Sequence, residues 1–157
     1  VDKDPSCLAA CADRASHFQA LQADLDEHWP LRPSFFGLVL SVHALHFVAD
    51  PQKVLLSIAD SLVPGGYAVL VVFTHQEDMW ECLRRVSRET NIREAWNLAP
   101  WKILDSIMSN TAKNPCQYWS EKDFKSLLVV CGFEVLSTRI VFDGCSILVL
   151  ARRKVSV

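Results

Sequence analysis

The sequence predicts an α/β protein: a three-layer sheet, mostly parallel, with an antiparallel hairpin at its C-terminal end. Two observations carry the parallel part. The runs Phe35–Ser41 and Tyr67–Phe73 are apolar at successive positions, as strands buried on both faces are. Between them Val54, Leu55, Ile58 and Leu62 recur at helical spacing, so a strand–helix–strand crossover is expected. The third observation is Asp143-Gly144, a two-residue turn signal between "EVLSTRIVF" and "CSILVLAR".

The totals suit one domain. The chain has 157 residues, is 50% hydrophobic and carries a net charge of −2. That charge leaves no basic footprint for nucleic acid or an anionic membrane surface. No apolar run approaches the roughly 18 residues of a membrane span. Six cysteines, at 7, 11, 82, 116, 131 and 145, form no C-x-x-C pair. They read as buried reduced thiols rather than metal ligands, and a cytoplasmic location follows. No metal is expected.

Taken in order, "VDKDPS" reads as a strand end followed by a helix start. Asp4 stands before Pro5, which suits the first helical turn. Leu8, Ala9, Ala12 and Ala15 give that helix an apolar face. "HFQALQAD" alternates, which predicts a short strand ending at Asp24. Asp50-Pro51 starts the crossover helix, with Asp50 as its N-cap, and Pro64-Gly65-Gly66 stops it. Residues 76–120 are polar, helix-compatible and rich in tryptophan, and are expected to form a helical insert covering a pocket. Ser120 then caps a helix, with Asp123 three residues on. Phe124, Leu127, Leu128 and Cys131 form its inner face, and Gly132 ends it. In sheets of this kind ligands bind outside the carboxyl ends of the strands. Those ends are Asp2, Asp24, Ser41–His46 and Phe73–His75.

Five motifs in order carry a family likeness: "VDKDPSCLAACADRA", "FQALQADLDE", "FGLVLSVHALHFVAD", "LVPGGYAVLVV" and "GFEV". Together they resemble a class I, Rossmann-like S-adenosylmethionine-dependent methyltransferase, entered at its second strand. The likeness spans nearly the whole chain. It departs at Gly37, where the family's fourth strand has Asp, and in having no first strand or G-x-G-x-G loop. The resemblance thus implies a single, partial domain over residues 1–157, truncated by about 35 to 60 residues upstream, and a chain that is itself inactive. The layout of "VLVVFTHQEDMWECLRRVS", the insert and "YWSEKDFKSLLVVCGFEV" resembles the juvenile hormone acid O-methyltransferase group.

The resemblance implies S-adenosylmethionine as cofactor and a small-molecule acceptor, in the finer layout the carboxylate of an apolar acid. Asp2 would accept the ribose hydroxyls, with Lys3 along the adenine. Asp24 would meet the adenine amino group and the Leu25 amide a ring nitrogen. The carbonyls of Ser41 and Val42 would hold the cofactor's ammonium. His43, His75, Trp96, Trp101 and Trp119 would line the acceptor pocket. No catalytic residue is fixed, with His43 the candidate. A carboxylate is already ionised at neutral pH and needs no base, so placement and water exclusion would suffice. His46 reads as a packing residue. Two other readings stand: a catalytically inactive methyltransferase-like binding or scaffold module, and a nicotinamide-dependent reductase on a similar sheet.

Overall fold

Four strands lie in the order β1-β2-β4-β3: β1 (Phe36–Val42), β2 (Leu62–Phe73), β3 (Phe133–Val141) and β4 (Ser146–Arg153). The structure, a computed structural model, describes residues 1–12, 21–27, 29–74 and 117–155. β1 and β2 are parallel, and β4 runs antiparallel to both of its neighbours, β2 and β3. Three strands therefore share one direction and β4 is reversed, the mixed sheet expected from the sequence. Ahead of it, α1 (Pro5–Ala12) follows a parallel bridge between Asp2 and Gln22. The strand expected to end at Asp24 is reduced to this bridge among the described residues. The expected insert falls outside the described residues, apart from 117–120.

The crossover helix α2 (Pro51–Ser61) starts as its sequence dictates. The Asp50 side chain accepts a hydrogen bond from the Lys53 amide at 3.0 Å, and Pro51 needs no amide of its own. Val54, Leu55 and Ile58 are at most 2% exposed. They share one buried cluster with Ala68, Leu70 and Val72 of β2, and with Ile147, Val149 and Ala151 of β4. α3 (Glu121–Val130) adds Phe124 and Leu128 to the same cluster. Its Ser120 cap accepts from the Asp123 amide at 3.1 Å and donates to the Asp123 carboxylate at 2.6 Å. Cys131 is buried beyond it, and Gly132 takes φ +84°, which ends the helix. β1 is not buried on both faces as its apolar run implies: on the face away from the buried cluster Leu38, Leu40 and Val42 are 58%, 65% and 47% exposed.

Two turns differ from expectation. β2 begins at Leu62, directly after α2, not at Tyr67. Leu62 already pairs with Phe36, and the register shifts before Leu38 meets Tyr67. Pro64-Gly65-Gly66 is thus an excursion inside the strand, made possible by Gly65 at φ +78°. Gly66 is fixed by contact instead. A Cβ there would stand 2.9 Å from the Val63 carbonyl oxygen and 3.3 Å from that of Gly37. Gly66→Ala is expected to cost about 1–3 kcal/mol by overpacking, read as a lower denaturant midpoint at unchanged slope. The second turn, between β3 and β4, is a short 3-10 stretch, Phe142–Gly144, rather than a two-residue turn at Asp143-Gly144. A tight type I′ turn needs positive φ at both central residues. Here Phe142 (+50°) and Gly144 (+95°) take it.

Glu121 ties α3 to β3. Its carboxylate accepts from Lys125 Nζ at 2.5 Å and from the Thr138 hydroxyl at 2.7 Å. These bonds, Lys125 first, hold its carboxyl below the usual glutamate range. A depressed folded-state pKa stabilises fully above the unfolded value, and the gain is lost as pH falls through the folded one. Glu121→Gln should therefore lower the neutral plateau of a Tm-against-pH curve slightly, since the contacts are exposed, and converge with the unaltered chain in acid, which flattens the acid limb. An unaltered acid limb would show that the Glu121 contacts add nothing.

Candidate active site

The bridge between Asp2 and Gln22 brings two segments of the chain side by side. The Asp2 amide donates to the Leu21 carbonyl at 3.2 Å, and the Ala23 amide donates to the Asp2 carbonyl at 3.0 Å. Asp2 and Asp24 thereby come to one rim. Capping of α1 falls to Asp4, whose carboxylate accepts from the Ser6 amide at 2.8 Å and the Ser6 hydroxyl at 2.6 Å. One Asp2 oxygen accepts from the Asp4 amide at 2.9 Å. Across the gap, the Asp24 carboxylate accepts from the Asp26 amide at 3.0 Å. Asp26 accepts in turn from the Ala49 amide at 2.7 Å. These short loops are thus locked to the turn that follows β1.

Between them lies a cavity of about 290 Å³. Asp2, Lys3, Asp24, Leu25, Val42 and His43 all line it, joined by Asp26 and by apolar Phe47 and Val48. It sits at the carboxyl end of β1, where an open α/β sheet takes its ligand. Ser41 lies one residue back in β1, paired with Leu70, and is not part of the lining. Trp119 stands apart as well. Its ring packs on Phe124, 5.6 Å between centroids, against the core. His75, Trp96 and Trp101 lie outside the described residues. His46 is 4% exposed, its ring 4.5 Å from that of Phe73, and it is a packing residue.

His43 is held more tightly than its place in a loop requires. Its backbone has φ +53°, sparsely populated for a residue with a Cβ. Its amide donates to the Val71 carbonyl at 2.9 Å. Its ring stacks on Phe73 at 4.0 Å with 11° between planes, and Phe142 leans on it at 5.1 Å. Its Nε2 lies 3.0 Å from the hydroxyl of Ser146, a residue with no exposed surface.

Asp26, Phe47 and Ser146 carry no signal that would have singled them out in the sequence. Asp26 is one acid among several, Phe47 one apolar residue in a helix-compatible run. Ser146 meets His43 only because β2 and β4 pair.

The charge of the lining bears on the ligand. Three carboxylates face one lysine, an arrangement that favours a cation and opposes a pyrophosphate. A carboxylate rim with apolar Leu25, Phe47 and Val48 behind it fits a ligand that combines hydroxyls, a flat ring and positive charge. S-adenosylmethionine has these features, and Asp2, Asp24 and the Leu25 amide are the groups that would hold it. A dinucleotide fits worse. The sequence does carry a Tyr-x-x-x-Lys spacing, Tyr118 to Lys122. However, Tyr118 precedes the Ser120 cap of α3, so the two do not share a helix face. Among the described residues no group of three His, Cys, Asp or Glu could hold a metal. Nor is any helix among them long and apolar enough to cross a membrane.

Residues 1–70 match a family described as a methyltransferase domain, and every cavity-lining residue falls within that stretch. No curated protein matches the chain. Among solved structures, a chain of the Haloferax volcanii complex between the Trm112 methyltransferase activator and a methyltransferase aligns with a TM-score of 0.68 at 15% identity. It covers 97% of this chain and 70% of that one. An S-adenosylmethionine-dependent methyltransferase from Mesorhizobium loti gives 0.63 at 16% identity, covering 96% and 77%. A Bacillus halodurans C-125 protein described as a methyltransferase gives 0.62 at 16%, covering 98% and 81%. The fold is that of a class I methyltransferase. The family match covers less than half of the chain, and at 15–16% identity these neighbours show the fold alone. In this methyltransferase fold the departure at Gly37 is not forced by crowding, since a Cβ there would meet nothing within 4 Å.

Proposed function

We propose that this chain serves S-adenosylmethionine-dependent methyl transfer to a small molecule, the carboxylate of an apolar acid, in the cytoplasm. The observation that carries the reading is the acidic cavity at the carboxyl end of β1, with Asp2, Asp24 and Asp26 on its rim. The bound cofactor would supply an electrophilic methyl group. The chain's own part is to bind and orient. Asp2 accepts the ribose hydroxyls, with Lys3 beside the adenine. Asp24 and the Leu25 amide read the adenine edge, and the Val42 carbonyl faces the ammonium. Phe47 and Val48 exclude water. His43 faces the acceptor, with His75, Trp96 and Trp101 assigned to the acceptor's apolar part.

The test is a screen with methyl-labelled cofactor against acids, phenols and amines of equal chain length. Label in the acids alone is expected. Label in phenols or amines instead would discard the carboxylate, and cofactor binding without transfer to any acceptor would favour the inactive binding module. Calorimetry showing that a nicotinamide dinucleotide binds and S-adenosylmethionine does not would overturn the reading as a whole.

A further inference from the structure

Asp26 reaches from the cavity rim to the start of α2 with two groups. Its carboxylate accepts from the Ala49 amide at 2.7 Å, and its carbonyl accepts from Lys53 Nζ at 3.3 Å. Ala49 stands between Val48, which lines the cavity, and Asp50, which caps α2. The Asp26 amide donates the other way, to the Asp24 carboxylate at 3.0 Å. One residue thus joins the loop that carries Asp24 and Leu25 to the turn that carries Phe47 and Val48, two stretches of the same lining. Further along, Trp29 Nε1 donates to the Ser61 hydroxyl at 2.6 Å, and the Ser34 amide donates to the Asp60 carbonyl at 2.7 Å. Those ties lie at the far end of α2, about 16 Å away for 11 residues. They hold the segment on the helix without setting the spacing of the lining.

We propose that Asp26 is a positioning residue for the cofactor: its bond to Ala49 sets the distance between the Asp24–Leu25 loop and the Phe47–Val48 turn, so that the adenosine part of the ligand meets both at once. This role rests on the reading of the cavity as an S-adenosylmethionine site and deepens it. A spacing fixed before the ligand arrives removes an ordering cost from binding. Asp26 acts through Ala49 rather than on the sulfonium, so ligands that share the adenosine should feel its loss alike. The bond to Ala49 has the length of a charge-assisted one. An asparagine oxygen in the same place still accepts from an amide, at reduced strength. Neither substitution of the side chain touches the Asp26 amide, so the bond that orients Asp24 survives both.

The experiment is calorimetry of S-adenosylmethionine and of its neutral thioether product, S-adenosylhomocysteine, on the whole chain. Asp26→Ala should weaken both by about 10-fold, the order of one hydrogen bond to a charged group. Ala49→Pro deletes the donor, leaves the Asp26 carboxylate in place and should weaken both to the same extent. Val48 is extended there, at ψ 149°, as a residue before proline must be. The double variant should lose no more than either single one. Asp26→Asn should recover most of the loss. Trp29→Phe, which cuts a distant tie outside the cavity lining, should lower Tm and leave both affinities unaltered. A loss confined to S-adenosylmethionine, present in Asp26→Asn and absent in Ala49→Pro, would make Asp26 a charge partner of the sulfonium and overturn the proposal. So would an equal loss of affinity in Trp29→Phe. Amide hydrogen exchange needs no ligand. The amide of Ala49, an exposed residue, should be protected in the unaltered chain and exchange freely in Asp26→Ala. A freely exchanging Ala49 amide in the unaltered chain overturns the proposal even if every variant fails to fold. Absence of binding with Ala49 still protected is instead the failure of the cofactor reading, and it takes the positioning role with it.

Discussion

Phe124→Ala should destabilise the fold by about 3–5 kcal/mol, the range for deleting a fully buried aromatic ring. Phe124 has no exposed surface, sits on the inner face of α3 and meets the Trp119 ring at 5.6 Å. Its removal leaves a cavity between α3 and the sheet that the strands cannot close, because Ile147 and Val149 are pinned by ladders on both sides. Against a typical total of about 5–15 kcal/mol, the loss should lower Tm by on the order of 10 °C. Leu127→Ala, at a half-buried position on the same helix, should cost clearly less. Equal losses in the two variants would show that α3 docks through a broader surface than Phe124 and Leu128.

Asp2→Ala should weaken S-adenosylmethionine binding by about 10- to 100-fold, since hydrogen bonds to a charged group contribute about 1.5–3 kcal/mol. Asp2 also accepts from the Asp4 amide, so the alanine removes a local turn bond as well as a ligand contact. Asp2→Asn separates the two. It keeps an acceptor for that amide but loses the charge, and should bind at an intermediate level with unaltered stability. Glu27→Ala, an exposed carboxylate outside the cavity lining, is the control and should bind as the unaltered chain does. Calorimetric affinities equal for Asp2→Ala and Glu27→Ala would move the ribose contact to another residue.

Local chemistry made much of this legible in advance. Asp50-Pro51 and Ser120 with Asp123 are caps whose hydrogen bonds span only three residues, so the sequence spells them out. β1 and the core of β2 were readable because runs such as "VLVV" have no polar face to expose. Turns were harder. Pro64-Gly65-Gly66 looked like a stop, yet Leu62 pairs with Phe36 before the glycines are reached. Asp143-Gly144 looked like a complete turn, yet Phe142 takes the positive φ and leans on His43. In both cases a contact distant in sequence overrides a local preference. The site divided in the same way. Asp2, Asp24 and His43 are strand-end residues, a position that a pattern of strands supplies. Ser146 is a small polar residue on a far strand, and only the pairing of β2 with β4 gives it meaning. Trp119 shows the converse: an aromatic residue beside an expected pocket packs into the core instead.

The strand order has a kinetic consequence. β1, α2 and β2 are consecutive, and their pairing closes a short segment of chain. The ladder of β2 with β4 joins residues separated by about half the chain. Each doubling of a closed loop adds only about 0.6 kcal/mol of entropic cost, but non-local contacts must be reached before they reward the search. The crossover unit should therefore assemble first, with the hairpin of β3 and β4 docking onto its finished edge. β2 is the only one of the four strands bonded to a crossover partner on one side and to the hairpin on the other. Its amides, from Ala68 to Val72, should be the last to exchange with solvent.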